Sequence, residues 1–570
     1  MLCATTRLER VGAKPRDWTN REPCFPGEDS ILNKADWTVS PTQKPSDLSV
    51  QKPAGRYRWT ICAMLFAATT INYMDRSILG VLGPTLQYKV FNWTDNDYAN
   101  INIAFKFAYA IGMLSMGAII DKFGTKIGYT LSIGIWSIFG MLHAAVRPAF
   151  SLVGFCLARF GLGFGESGNF PAAIKTVGEW FPKKERALAT GIFNAGSNVG
   201  AILAPLVIPM VVWPDGTNWQ FAFLTTGIFS ALWVMLWLKL YARPEVHPRL
   251  SKEELAYIDS DSVAETSTVK VPWSSVLPLR ETWAFAALKI TDAVWWFYLF
   301  WGGKFLYDQF GLSIKGIAGP LITIYVLADG GSIAGGWLSS FFIKKGWPVN
   351  RARKTTLLIC AICIMPVVFT TQMGTRFKVN ESFFTKLQTA TSPVERDTRV
   401  NGRLKRERVE ESVPAETQAA LHALSGKSYA SAKEFLKALG DVIAPEQVKR
   451  METALISSAR SDNLYWIAVL LIALAAGGHQ AWSANVFTLV SDVFPKKAVA
   501  SITGIGGMVG AVAGMVADKT MGNLLTSSGP SGYFFAFLGA GSCYLILLGV
   551  AHLLMPKMTP LDENLRHVST

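Results

Sequence analysis

Apolar stretches of about twenty residues or more recur between residues 59 and 555, separated by short polar loops. A helix of about 20 residues crosses the apolar slab of a bilayer, and a soluble core seldom needs that length so often. The pattern predicts helices over 59–87, 98–120, 126–146, 150–180, 187–212, 219–241, 283–305, 316–342, 353–372, 463–492, 497–524 and 532–555. The expected fold class is therefore an all-α membrane protein with twelve transmembrane helices. Only 17% of the 570 residues are Asp, Glu, Lys or Arg. A soluble chain carries roughly 25%.

Other classes are excluded residue by residue. The net charge of +14 does not point to nucleic acid, because no basic stripe with interleaved aromatics accompanies it. Of the seven cysteines, Cys360 and Cys363 form a CxxC with no second pair or histidine partner nearby, so no zinc site is expected. No GxxxxGK[ST] or HExxH occurs, so neither an enzyme nor a cofactor is expected.

Residues 1–55 read as a polar, proline-containing, disordered extension without the apolar stretch of a signal peptide. The first six helices fill 56–241. A linker over 242–282 follows, marked by Arg243, Pro244, Pro248 and a capped start at Ser251. Helices 7–9 lie in 283–372, a polar insert in 373–462, helices 10–12 in 463–556 and a tail in 557–570. Cytoplasmic loops gather Lys and Arg. With the N-terminus inside, the short inside loops hold twelve Lys/Arg and the outside loops three. Both termini are thus expected in the cytoplasm, and the insert outside. The setting is the cell membrane, the inner one in a Gram-negative bacterium. The insert carries 15 Lys/Arg, but long loops translocate whatever their charge. Its stretches 415–425 and 430–455 have helical spacing, while 390–412 read as charged and mobile. A cap over the external mouth and a passive insertion are both compatible with this pattern.

An internal repeat divides the bundle. Phe181-Pro182-Lys183-Lys184 returns 313 residues later as Phe494-Pro495-Lys496-Lys497, and twelve aligned positions give eight identities. Two six-helix halves in the same orientation follow, with a substrate site between them near the midplane.

The loop Gly117-Ala-Ile-Ile-Asp121-Lys122-Phe-Gly124-Thr-Lys126 resembles the GxxxDxxGxK/R loop of the major facilitator superfamily. Gly117, Asp121, Gly124 and Lys126 are its gating-loop residues. Ile71-Asn72-Tyr73-Met74-Asp75-Arg76 and the run from Arg159 through Glu166 and Asn169 to Pro171 resemble that superfamily's anion:cation symporter family. Lys289, Asp292, Trp295 and Trp296, with His479, Gln480, Trp482, Ser483 and Asn485, resemble its hexuronate transporter branch. The resemblance covers 56–372 and 463–556. It implies a secondary transporter of a sugar acid such as glucuronate or galacturonate, working as a monomer. Sibling transporters of aldonates and other small organic anions share the first two motifs.

Charges inside apolar runs carry the mechanism. Asp75 and Arg76 sit near the middle of the first run, and Arg159 and Glu166 are two helical turns apart on one face. Each costs a few kcal/mol at mid-membrane on insertion scales, so each faces a cavity or a partner. They are either structural salt bridges or a proton-coupling set, because a buried carboxylate exchanges a cation for a proton when its partner is taken. The resemblance makes Asp75 and Glu166 the proton sites and Arg76 the clamp on a substrate carboxylate, with Arg159 tuning Glu166. Tyr73, Tyr109, Arg159, Lys289, Trp296, His479, Gln480, Trp482 and Asn485 complete the expected contacts. Lys289 and Asp292 are also spaced to pair with each other.

Overall fold

The computed structural model describes residues 55–213, 216–261, 273–373, 376–400, 403–461, 465–562 and 564–567. The expectation for 1–55 lies outside these, apart from Gly55. The first group of helices is α1 (Tyr57–Pro84), α2 (Asp95–Leu142), α3 (Ser151–Glu166), α4 (Asn169–Trp180), α5 (Lys183–Val211) and α6 (Gln220–Leu240). Short α7 (Lys252–Ile258) and α8 (Trp273–Val276) lead to α9 (Arg280–Lys289), α10 (Asp292–Phe310), α11 (Ala318–Lys344) and α12 (Val349–Ile364). The chain continues α12 as a tighter 3-10 stretch to Met373.

A mixed segment follows: β1 (Phe377–Lys378), α13 (Glu381–Thr389), β2 (Thr391–Val400), β3 (Arg403–Ser412), α14 (Ala415–Leu421), β4 (Ser428–Tyr429), α15 (Ala432–Gly440) and α16 (Pro445–Ala459). The last helices are α17 (Tyr465–Val493), α18 (Lys496–Ser528) and α19 (Gly532–Leu554).

Among the described residues, eight helical stretches are long and apolar enough to cross a membrane. Two of them, Asp95–Ala145 and Ser501–Leu554, have 51 and 54 residues, twice what one crossing needs. Each changes direction at a glycine with positive φ: Gly124 at +79° and Gly529 at +57°. A side chain bearing a Cβ resists that conformation. The surface is inverted relative to a soluble protein. Phe107, Leu157, Ile333 and Leu553 are exposed, whereas Asp75, Lys106, Arg159, Glu166, Lys304 and Asp308 are buried. That distribution suits lipid outside and polar chemistry within.

At one end of the bundle the helices close tightly. α1 meets α10 where Gly80 and Gly303 face each other, and a Cβ on Gly303 would collide with the carbonyl oxygen of Gly80. α2 meets α18 through Ala99 against Gly522 and through Lys106, 2.7 Å from Asp518. Small residues allow such close backbone approach. Gly303→Val should disfavour this closed arrangement. Overpacking costs ~1–3 kcal/mol, so the closed-to-open ratio should fall roughly five- to 150-fold. Labelling of the seam by a water-soluble thiol reagent measures it, and unchanged protection would mean the helices are not packed against each other there.

The segment between α12 and α17 departs from expectation in two places. Within 390–412, expected to be mobile, residues 391–400 and 403–412 pair as antiparallel strands with Thr391 opposite Ser412 and Val400 opposite Arg403. The helix expected over 430–455 is two helices, interrupted before Pro445, which starts α16. Proline has no N–H to continue a preceding helix but suits a first helical position. The segment has its own core, in which Phe377, Phe383, Leu387, Phe435 and Leu455 are buried together.

Candidate functional site

Two helix breaks build the site. Helix expected over 150–180 divides into α3 and α4, with Glu166 at the last position of α3. Pro171, in the first turn of α4, lacks an N–H and its ring would clash with the carbonyl of residue 167 in a continuous helix. Glu166 therefore sits where the backbone turns. α1 delivers Arg76 to it: Nη2 and Nε lie 2.8 and 2.9 Å from the same Glu166 oxygen, Oε2. The rings of Tyr73, Phe105, Tyr109 and Trp296 surround the guanidinium, with centroids 4.7, 5.4, 5.0 and 5.2 Å from its carbon. Cation–π attraction to several faces holds the group in place.

Asp75 turns to α6, where its Oδ2 accepts from Ser230 Oγ at 3.3 Å. The sequence pairs Arg159 with Glu166 by their spacing, but the tertiary approach of α1 gives Glu166 to Arg76. Arg159 is fully buried, its guanidinium carbon 5.7 Å from the Phe105 ring centre. Its three guanidinium nitrogens, Asp75 Oδ1 and Glu166 Oε1 have no hydrogen-bond partner among the described residues. Two acids and two bases thus lie buried together, balanced in charge, with one oxygen open on each acid. Such a set is expensive as mere packing, since desolvated charges are repaid only by good geometry.

The second break separates α9 from α10 at Ile290–Thr291. Lys289 and Asp292 flank it and form an ion pair. Lys289 Nζ also lies 4.3 Å over the Phe487 ring. Between the two breaks is a cavity of about 350 Å³, at the small end of ligand pockets. Tyr73, Arg76 and Tyr109 line one wall, Lys289, Asp292, Trp295 and Trp296 another, and His479, Gln480 and Ser483 of α17 a third. His479 Nδ1 lies 2.7 Å from the Tyr544 hydroxyl, and its ring stacks on Trp295 at 5.8 Å.

Several expected contacts lie elsewhere. Trp482 is buried edge-on against Tyr544, 5.1 Å between ring centres, and is off the cavity wall. Asn485 is off it too. Its Nδ2 donates to the carbonyls of Gly335 and Ala481 at 3.0 and 2.9 Å, tying α17 to α11. Arg159 sits behind the wall rather than on it. Of the gating-loop residues, Asp121 accepts from Lys175 of α4 at 2.8 Å. Gly124 supplies the kink, the Lys126 carbonyl accepts from Trp237 Nε1 at 3.2 Å, and Gly117 has open space beside it. The sequence reading missed a wall altogether: Asn194, Ser197 and Asn198 of α5 face the cavity. Their signal is three hydrogen-bonding side chains within five residues of an apolar helix.

Comparison with known proteins agrees with this architecture. The family model for the Major Facilitator Superfamily matches residues 65–384. The hexuronate transporter of Escherichia coli (strain K12) is 33% identical over 315 residues, covering 54% of this chain and 71% of that protein. The galacturonate transporter of Dickeya chrysanthemi is 33% identical, also over 315 residues, covering 54% of this chain and 89% of that protein. Among solved structures, an inward-facing, occupied bacterial homolog of the human lysosomal transporter Spinster superposes with a TM-score of 0.56 at 15% identity, over 88% of this chain and 98% of that one.

Proposed function

We propose that this chain, which belongs to the Major Facilitator Superfamily, carries a sugar-acid anion of the hexuronate type together with protons by alternating access. Counting the two double-length stretches twice and adding α1 and α10 gives twelve crossings, six on each side of the linker at 242–282. The segment 373–462 is then external, both termini are cytoplasmic, and the chain works as a monomer in the cell membrane. The closed end is the external one.

One observation carries the reading: both cations on the cavity wall are already held by carboxylates, Arg76 by Glu166 and Lys289 by Asp292. An entering anion competes with those acids. It takes Arg76 at little cost only if Glu166 is relieved of its charge by a proton. Binding of the anion and protonation of the acid therefore favour each other. Asp75 is the second proton site, beside Arg159, which supplies positive charge without a hydrogen bond. Tyr73, Tyr109 and Trp296 give the sugar ring apolar faces, and Gln480, Ser483 and the α5 amides offer partners for its hydroxyls. His479 adds a hydrogen-bonding edge next to Trp295. The names of the two bacterial transporters favour a hexuronate over other small anions.

Purified protein in liposomes with labelled glucuronate, galacturonate, an aldonate and an aldarate tests this. A hexuronate should accumulate under an inside-alkaline gradient and only equilibrate without one. Accumulation driven by sodium, or of no anion in the panel, would overturn the reading; accumulation of an aldonate alone would reassign the substrate. The clamp has its own test. Arg76→Lys keeps the charge and loses the bidentate fork. A hydrogen bond to a charged group is worth ~1.5–3 kcal/mol, so KM should rise roughly ten- to hundred-fold. An unchanged KM would make Arg76 a structural partner of Glu166.

A further inference from the structure

The segment between α12 and α17 is fastened to the closed end of the bundle on both sides of a seam. Its anchors are on α10, in the C-terminal group of helices. Gln309 Nε2 donates to the Ala430 carbonyl at 3.2 Å, Arg460 Nη2 to the Phe310 carbonyl at 2.7 Å, and the Tyr307 hydroxyl to Glu452 at 2.7 Å. Its hooks cross to the N-terminal group. Lys433 of α15 places Nζ 3.1 Å from Asp95 at the start of α2, and Glu452 of α16 lies 2.8 Å from Lys89, just beyond α1.

Beneath the hooks the seam itself is ionic. Lys304 of α10 is fully buried, 2.9 Å from Asp95 and 2.6 Å from Asp308. Asp308 accepts from Tyr88 and from Tyr533, each at 2.8 Å, and Gln87 donates to Asp95 at 2.8 Å. Opening this end must part Lys304 from Asp95, while Asp308 on the same helix keeps Lys304 paired and Gln87 stays with Asp95. In this closed arrangement Lys433 adds a second cation on Asp95.

We infer that this segment is a clasp on the closed end, in which Lys433 and Glu452 are positioning residues that hold Asp95 and Lys89 across the seam and so set how often the end opens. The inference rests on the alternating-access reading but not on the identity of the substrate. A contact made in one conformation only shifts the equilibrium by its differential free energy. The clasp slows entry from this end and is released each cycle.

The test uses the full chain in liposomes, with its native cysteines replaced and Ala99→Cys as reporter. Ala99 is buried against Gly522 of α18, one turn from Asp95. Reaction with a membrane-impermeant maleimide reads exposure of the seam. Lys433→Ala and Glu452→Gln should each speed labelling several-fold, their combination more, and Lys433→Arg should restore the parent rate. KM for anion presented at this end should fall in step, because a larger competent fraction raises apparent affinity. Parent-like labelling in both single variants and their combination would overturn the clasp, as would a failure of Lys433→Arg to restore what Lys433→Ala changes. Labelling is read without substrate, so a parent that carries no hexuronate would defeat the substrate assignment and leave the clasp to be judged on its own result.

Discussion

Glu166→Gln should lower concentrative uptake by about tenfold per pH unit of gradient, the share of one of two coupled protons, while leaving exchange of substrate across the membrane in place. One pH unit is worth 1.36 kcal/mol per proton, so coupling to one proton sustains about tenfold accumulation per unit and coupling to two about a hundredfold. Glutamine keeps the shape of the side chain and an oxygen for Arg76, but it cannot exchange a charge for a proton. In the parent, Glu166 Oε2 occupies the Arg76 fork at 2.8 Å. In the variant that competitor is neutral at every pH, so the substrate carboxylate should bind at least as tightly as before. Lowered accumulation with retained or tightened binding separates coupling from damage to the site. Asp75→Asn should behave alike in accumulation, but with less effect on affinity, because Asp75 bonds Ser230 of α6 and not the clamp. Counterflow in preloaded liposomes, with and without a pH gradient, measures both. Full gradient-driven accumulation by both variants would remove the two acids from the coupling.

The site was legible in the sequence where charge stood against an apolar background. Asp75, Arg76, Arg159 and Glu166 stand out for that reason alone. Which base holds which acid is a tertiary fact. Spacing on one helix joins Arg159 to Glu166, whereas the packing of α1 on the α3–α4 break brings in Arg76. Helix phase could have sorted the α17 residues. At 100° per residue, His479, Gln480, Ser483 and Phe487 share one face, and Trp482 and Asn485 fall off it; the cavity wall follows that division. Lys304 and Asp308 are hidden in the sequence because the helix expected over 283–305 stops short of Asp308. Continued by one turn, the helix makes them an i, i+4 pair. The pairing of 391–400 with 403–412 also had its signal, since both runs are of strand length and Asn-Gly between such runs is a hairpin signature in a sequence. The dense charge on either side hid it.

Uptake should carry current. A hexuronate is a monoanion, so one proton per substrate moves no net charge and the membrane potential is without effect. Two protons per substrate move one positive charge inward, and 100 mV then adds about 2.3 kcal/mol to the driving force, a factor of nearly fifty in accumulation. Whether two acids act as two sites depends on whether they share a proton as a coupled pair. Here they do not share a hydrogen bond: Glu166 is held by Arg76 and Asp75 by Ser230, and each keeps one oxygen without a partner. Two separate positions for a proton follow, one on Glu166 beside Arg76 and one on Asp75 beside Ser230. On a solid-supported membrane, adding substrate should give an inward positive current that rises with an imposed inside-negative potential. Asp75→Asn should abolish the current, leaving at most electroneutral uptake with one titrating acid. Robust proton-driven uptake without current at any pH would mean that the two carboxylates pass a single proton between them.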